Sequence, residues 1–201
     1  MYDITSKPDP QALFAVASEQ AGFFTSAQAH GCGYSWTMLS HYAATGRFIR
    51  IRQGLYRLRD YPSSPHEEVM AAWLAVGRDS AVVSHESALQ LLDLSDVVPN
   101  AIHILLPRSR RGLQPYPMVS LHTTAKPLGP SDVVEREGIR LTSPLRTILD
   151  VAEIGTASEQ VIMAIEQARS RGWITAHELR EQAPGRGSRV AELAERGLHV
   201  A

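Results

Sequence analysis

The chain has 201 residues, 44% of them hydrophobic and 20% charged, with a formal net charge of -1. This composition lies in the ordinary globular range and excludes an intrinsically disordered chain, while the length admits one or two domains. The near-zero net charge hides an asymmetry: residues 1–62 carry six Lys+Arg against four Asp+Glu, and residues 63–201 carry fourteen against seventeen.

In chain order, Pro8 and Pro10 precede a helix over residues 11–20, with Leu13, Val16 and Ala17 on one stripe and Gly22 as its stop. A short helix follows over 25–30, capped by Thr25 or Ser26, and ends at Gly31-Cys32-Gly33, where glycine permits a left-handed backbone. Ser35 is placed to cap a third helix over 36–44, with Leu39, Tyr42 and Ala43 as its buried stripe. The opposite face then carries Trp36, Thr37, Ser40 and His41. Residues 47–52 and 55–59 alternate as two strands around Gln53-Gly54 and read as a β-hairpin.

Residues 61–65 read as a linker, so the expected domains are 1–62 and 63–201. Ser64 and Glu67 have the spacing of a capping box opening a helix that runs to Gly77. Strands are expected over 81–84, 101–106, 118–123 and 138–141, making a small sheet of three or four strands. Helices are expected over 145–153 and 159–168, after the Thr175/Glu178 capping box, and over 188–196. The fold class is therefore α+β, a winged helix-turn-helix followed by a small mixed α/β domain with a C-terminal helical segment.

The first domain points to a polyanion. From Gln20 to Arg59 there are five arginines and no acidic residue. Two short helices, a glycine turn, a third helix and a basic hairpin are the parts of a winged helix-turn-helix in their working order. A helix fits the major groove of B-DNA, where polar side chains near its N-terminus reach base edges. The candidate base-reading set is Ser35, Trp36, Thr37, Ser40 and His41. Arg47, Arg50, Arg52, Gln53 and Arg57 form the candidate hairpin set, placed to meet phosphates or enter the minor groove. The expected partner is double-stranded DNA. A winged helix that docks on another protein is the alternative.

Other constellations fit structural roles. His85-Glu86 and Glu67-Glu68 have no second cluster at ligand spacing, so no metal site is expected, and Ser84 is read as a helix cap. Ser143 is read likewise, with Arg146 and Asp150 as an i,i+4 brace. Arg108, Arg110 and Arg111 read as a solvated loop, residues 184–188 lack the lysine of a phosphate loop, and residues 130–137 read as a polar connector. Neither an enzyme nor a cofactor is expected. Cys32 is the single cysteine, which excludes an internal disulfide and a cysteine-built zinc site. No apolar run approaches the ~20 residues that span a bilayer, and the first residues lack the apolar core of a signal peptide. A cytoplasmic protein without membrane contact is expected.

The segments Phe24-Thr25-Ser26-Ala27-Gln28-Ala29, Leu39 and 46–56, followed by 83–89, 102–107 and 141–150, resemble AbiEi-type antitoxins of bacterial abortive-infection, or type IV toxin-antitoxin, systems. The resemblance spans residues 10–180. It implies an autoregulating repressor whose N-terminal domain binds its own promoter and whose C-terminal domain opposes a nucleotidyltransferase-like toxin encoded nearby. Some relatives carry a further endonuclease-like domain after the helical segment, and none is expected here. Inverted half-sites suit a homodimer, although no heptad seam in the sequence specifies one.

Overall fold

The structure is a computed structural model that describes residues 7–114 and 116–199. The start of the chain, read above for a signal peptide, includes residues 1–6, which lie outside the described residues. The protein is a mixed α+β chain with two sheets, divided into two compact units, Met1–Asp79 with Glu137–Ile139 and Ser80–Arg136 with Arg140–Ala201.

The first unit begins with α1 (Pro10–Ser18), whose N-cap Asp9 accepts from the backbone N–H groups of Gln11 and Ala12. A proline at the first helical position costs nothing there, because that N–H has no intrahelical acceptor. Then come β1 (Phe23–Thr25), α2 (Ser26–Gly31), α3 (Trp36–Ala44), β2 (Phe48–Arg52), β3 (Leu55–Leu58) and α4 (Glu67–Val76). The three strands form an antiparallel sheet in the order β1-β3-β2. β1 was not expected from the sequence: three residues show no periodicity, and only pairing with β3 makes them a strand.

One face of this sheet meets α1, α2 and α3 over a core of Leu13, Ala17, Phe24, Ala29, Tyr34, Leu39, Phe48 and Tyr56. The rings of Phe24 and Phe48 meet edge to face at 5.0 Å, an arrangement that suits aromatic quadrupoles. On α4, Val69, Met70, Ala72, Trp73, Leu74 and Val76 are buried, and the helix packs on β1 and β3. Sequence reasoning assigned this helix to the second domain, but its apolar stripe is satisfied within the first unit. Its expected capping box does not form. The N-cap is His66, without a side-chain bond, and Glu67 turns to Arg57 instead.

The second unit holds β4 (Val82–Val83), α5 (His85–Leu92), β5 (Ile102–Pro107), β6 (Val119–Thr124), β7 (Val133–Arg136), β8 (Ile139–Thr142), α6 (Pro144–Ile154), α7 (Ser158–Ser170), α8 (Ala176–Gln182) and α9 (Ser188–His199). Its sheet has five strands in the order β6-β5-β4-β8-β7, one more than the upper expectation. The addition is β7, where a polar connector was expected. β4 runs antiparallel to β5 and parallel to β8, and β5 runs parallel to β6. Helices α6, α7 and α9 pack on one another, while α5 packs on β5 and α6. The Thr175/Glu178 capping box that opens α8 forms as expected.

Candidate nucleic-acid interface

The site begins with two helix caps. Thr25 accepts from the Gln28 N–H and the Gln28 side chain returns to the Thr25 N–H, a reciprocal box that starts α2. Gly33, at φ 83°, turns the chain between α2 and α3. Ser35 then caps α3 by accepting from the Met38 N–H at 3.2 Å. Ser35 therefore works in folding, with its hydroxyl committed to the helix start.

Along α3 the burial follows the expected stripe. Leu39 is buried, Met38, Tyr42 and Ala43 are half-buried, and Trp36, Thr37, Ser40, His41 and Ala44 are exposed. Trp36 is 62% exposed, and its ring meets His30 edge to face at 4.3 Å. The outer face of α3 thus offers two hydroxyls and an imidazole to solvent beside an indole. Arg47 is exposed, with its guanidinium 5.0 Å over the Tyr42 ring, tying the start of β2 to α3 by a cation–π contact.

The hairpin forms with Gly54 at φ 77°, the conformation that its turn requires. Its register departs from simple alternation. Arg50 pairs with Tyr56 but Arg52 pairs with Leu55, so Ile51 is an extra residue, a β-bulge. Cross-strand partners share a face of the sheet. Arg50 therefore lies on the Tyr56 face, the one that bears α3, and it is exposed. Arg52 is set by the bulge on the Leu55 face and is half-buried, and Gln53 is exposed at the turn.

Arg57 corrects the expectation for the hairpin. It lies opposite Phe23 and Ile49, 9% exposed, with its guanidinium 5.5 Å over the Phe23 ring. Its Nη2 donates to the carbonyls of Tyr61 and Pro62 and forms an ion pair with Glu67 at 3.1 Å. A guanidinium committed to two carbonyls and a carboxylate is not offered to a phosphate. Arg59, outside the candidate set, is exposed and donates from Nε to the Gly46 carbonyl.

Elsewhere, Arg146 and Asp150 form their i,i+4 pair at 2.8 Å, with Arg186 joining the Asp150 carboxylate at 3.0 Å. Arg110 donates to Ser80, while Arg108 and Arg111 are exposed. Ser84 and Ser143 make no side-chain cap bond. The Ser84 hydroxyl lies 2.8 Å from His85 Nδ1 instead, and His85 belongs to a group with His103 and His122 that sequence spacing did not reveal. The three come from α5, β5 and β6, so no local motif could announce them. Burial, reinforced by the neighbouring histidines, pushes the His85 imidazole down to about 2, and burial followed by His103 pushes His122 down to about 4.

The helix pair and the bulged hairpin occupy one continuous stretch of chain. Residues 11–59 match the family of transcriptional regulators described as AbiEi antitoxins. That stretch runs from α1 through β3 and contains all ten candidate residues. The AbiEi antitoxins are a family of regulators rather than enzymes. The crystal structure of the RV2827C protein from Mycobacterium tuberculosis is similar in fold, with a TM-score of 0.60 at 16% identity over 96% of this chain and 77% of that one. The search of curated proteins gives no match. Among the described residues, no helix is long and apolar enough to cross a membrane.

Proposed function

We propose that this chain is a cytoplasmic DNA-binding transcriptional regulator, the autoregulating antitoxin of a type IV toxin-antitoxin system. In this reading the first unit is a winged helix-turn-helix. Helix α3 enters the major groove of the chain's own promoter, α2 braces it, and β2–β3 is the wing. The observation that carries the proposal is the shared side of Arg50 and α3: an exposed arginine stands on the sheet face that bears the helix presenting Thr37, Ser40 and His41. The match over residues 11–59 supports it independently. The second unit would then oppose a nucleotidyltransferase-like toxin encoded nearby.

Fluorescence anisotropy with a duplex from upstream of the gene, against a scrambled duplex, tests the proposal. Tighter binding to the upstream duplex is expected. Two arginine contacts, from Arg47 and Arg50, would give a log-log salt slope of about -1.8 per protomer, at ~0.9 per phosphate. Equal affinity for both duplexes, or an affinity indifferent to salt, would overturn it.

One observation favours a second reading, a winged helix that docks on protein. Trp36, at 62% exposure, is the kind of aromatic anchor that protein interfaces use. Recovery of a stoichiometric protein partner without DNA, lost on Trp36→Ala, would decide for it.

A further inference from the structure

In the second unit, three imidazoles from three elements meet under cover. His85 is the first residue of α5 and His103 lies on β5, at 4% and 8% exposure. His122 lies on the neighbouring strand β6 and is half-buried. Because β5 and β6 pair with His103 opposite Ser120 and Leu105 opposite His122, the two histidines stand two residues out of register on the same face of adjacent strands. The His103 Nδ1 and His122 Nε2 atoms are 2.9 Å apart. His85 completes the group from above, its ring stacked on His122 with centroids 3.7 Å apart. One nitrogen from each of the three lies within 4.8 Å of the others.

Two further features show that this convergence is costly. His85 adopts φ 52°, a left-handed conformation unusual for a side-chain-bearing residue at a helix start. Such conformations persist where the surroundings impose them, and they cluster at functional sites. His103 meets His122 through Nδ1, and its other ring nitrogen, Nε2, is buried without any hydrogen-bond partner, although buried polar atoms are normally satisfied. Among the described residues no carboxylate hydrogen-bonds any of the three rings, and Glu86 acts on His103 through charge alone. At 2.9 Å, His103 Nδ1 and His122 Nε2 share one hydrogen bond, in which one neutral imidazole donates and the other accepts, and a cation that takes the place of that proton would be held by both nitrogens.

We propose that His85, His103 and His122 form a binding site for one borderline divalent transition-metal ion of the Zn2+ class. Imidazole nitrogens bind Zn2+ at ~2.0–2.1 Å, so a tetrahedral set places its nitrogens ~3.3 Å apart. The observed separations, from 2.9 Å to a limit of 4.8 Å, bracket that value. The rings of His85 and His122 are stacked with their planes 22° apart, so coordination requires them to turn out of stacking until their in-plane lone pairs converge on the ion. Three protein ligands leave a fourth position for water or an anion. The Ser84 hydroxyl at His85 Nδ1 holds that ring from outside, as outer partners of metal-bound histidines do, which leaves Nε2 as the ligand atom of His85. The ion would fasten the start of α5 to the β5–β6 edge of the sheet.

The test uses the full chain, stripped with a chelator and titrated with Co2+, whose visible d–d absorption reports tetrahedral coordination. One equivalent per chain is expected, displaced by Zn2+. His122→Gln, at the least buried of the three positions, should weaken binding by at least the ~10–100-fold that loss of an outer-shell partner alone costs. His177→Gln, on the exposed surface of α8, should bind as the parent does. Absence of the absorption, or its survival in His122→Gln, overturns the proposal. If His122→Gln fails to fold, the ring 15N resonances of the unaltered protein decide: Zn2+ should move three of its eight histidines, and a spectrum in which these three are unmoved overturns the site.

Discussion

The Arg57 guanidinium lies 3.1 Å from the Glu67 carboxylate, joining the middle strand of the first sheet to the N-terminus of α4. This ion pair turns an arginine that sequence alternation offers to DNA into part of the scaffold. Arg57→Ala should therefore lower the stability of the chain by about 2 kcal/mol, because two carbonyls lose their donor and a carboxylate loses its ion-pair partner. Its effect on the salt slope of duplex binding should be nil. Urea unfolding and anisotropy on the same variant separate the two; a slope reduced by about 1 with unchanged stability would return Arg57 to the interface.

The bulge at Ile51 makes Arg50 and Arg52 unequal. Arg50 is exposed on the α3 face, whereas Arg52 is half-buried on the other. Arg50→Ala should reduce the magnitude of the salt slope by about 1 and weaken binding to all duplexes alike. Arg52→Ala should do less. Anisotropy over a salt series measures both, and a larger effect for Arg52 would show that the ribbon approaches DNA by its opposite face.

Thr37 and Ser40 occupy the exposed stripe of α3. Replacing either by alanine should change which duplex is preferred, with ~1–3 kcal/mol at the base pair concerned, while leaving the salt slope intact. Selection from a randomised duplex pool reads this directly. An unchanged preference in both variants would remove α3 from base reading.

In the second unit, Asp150 is 4% exposed and lies between Arg146 and Arg186. Asp150→Asn keeps the shape and deletes the charge, leaving Arg146 with the distant Asp132, at 3.9 Å, as its only carboxylate among the described residues, while Arg186 keeps Glu153 at 2.6 Å. A loss of about 3 kcal/mol in urea unfolding is expected, since breaking one side of a buried pair strands the other. A change within ~0.5 kcal/mol, typical of surface substitutions, would mean that solvent already serves the arginines.

The Thr175 hydroxyl and N–H both donate to the Glu178 carboxylate, at 2.6 and 2.8 Å, and hold its carboxyl below the ordinary 4.5. A carboxyl that is more acidic when folded stabilises fully above its unfolded value, and that stabilisation is lost as pH falls through the folded value. Glu178→Gln should therefore be less stable than the parent at neutral pH, and the difference should shrink on acidification below 4.5. Unfolding curves across the acid range check it. A difference independent of pH would assign the effect to shape rather than charge.

The sequence made α3 legible because cap, apolar stripe and polar stripe all sit within ten neighbouring residues, where helical periodicity and capping chemistry operate. The hairpin was legible for the same reason, through Gly54. What could not be read was decided at a distance. Arg57 alternates correctly for an outward side chain, and only α4, packed on the second face, converts its position into a buried one. The Ile51 bulge arises from pairing with β3. His85, His103 and His122 share no spacing rule, since the pairing of β5 with β6 and the entry of α5 bring them together. Ser84 looked like a cap by position, yet its hydroxyl answers to an imidazole.

The hairpin turn is not a free tip, because the Gly54 carbonyl accepts from the Ser26 N–H at 2.9 Å, at the first residue of α2. The ribbon is thereby latched to both helices of the pair, to α2 by this bond and to α3 by the Arg47 contact with Tyr42. A latched pair has little slack with which to adapt to a target. Whatever surface it engages must conform to a preset spacing, so the mechanical work of adjustment falls on the ligand, and lengthening the turn by one residue would unhook the latch before it touched the core.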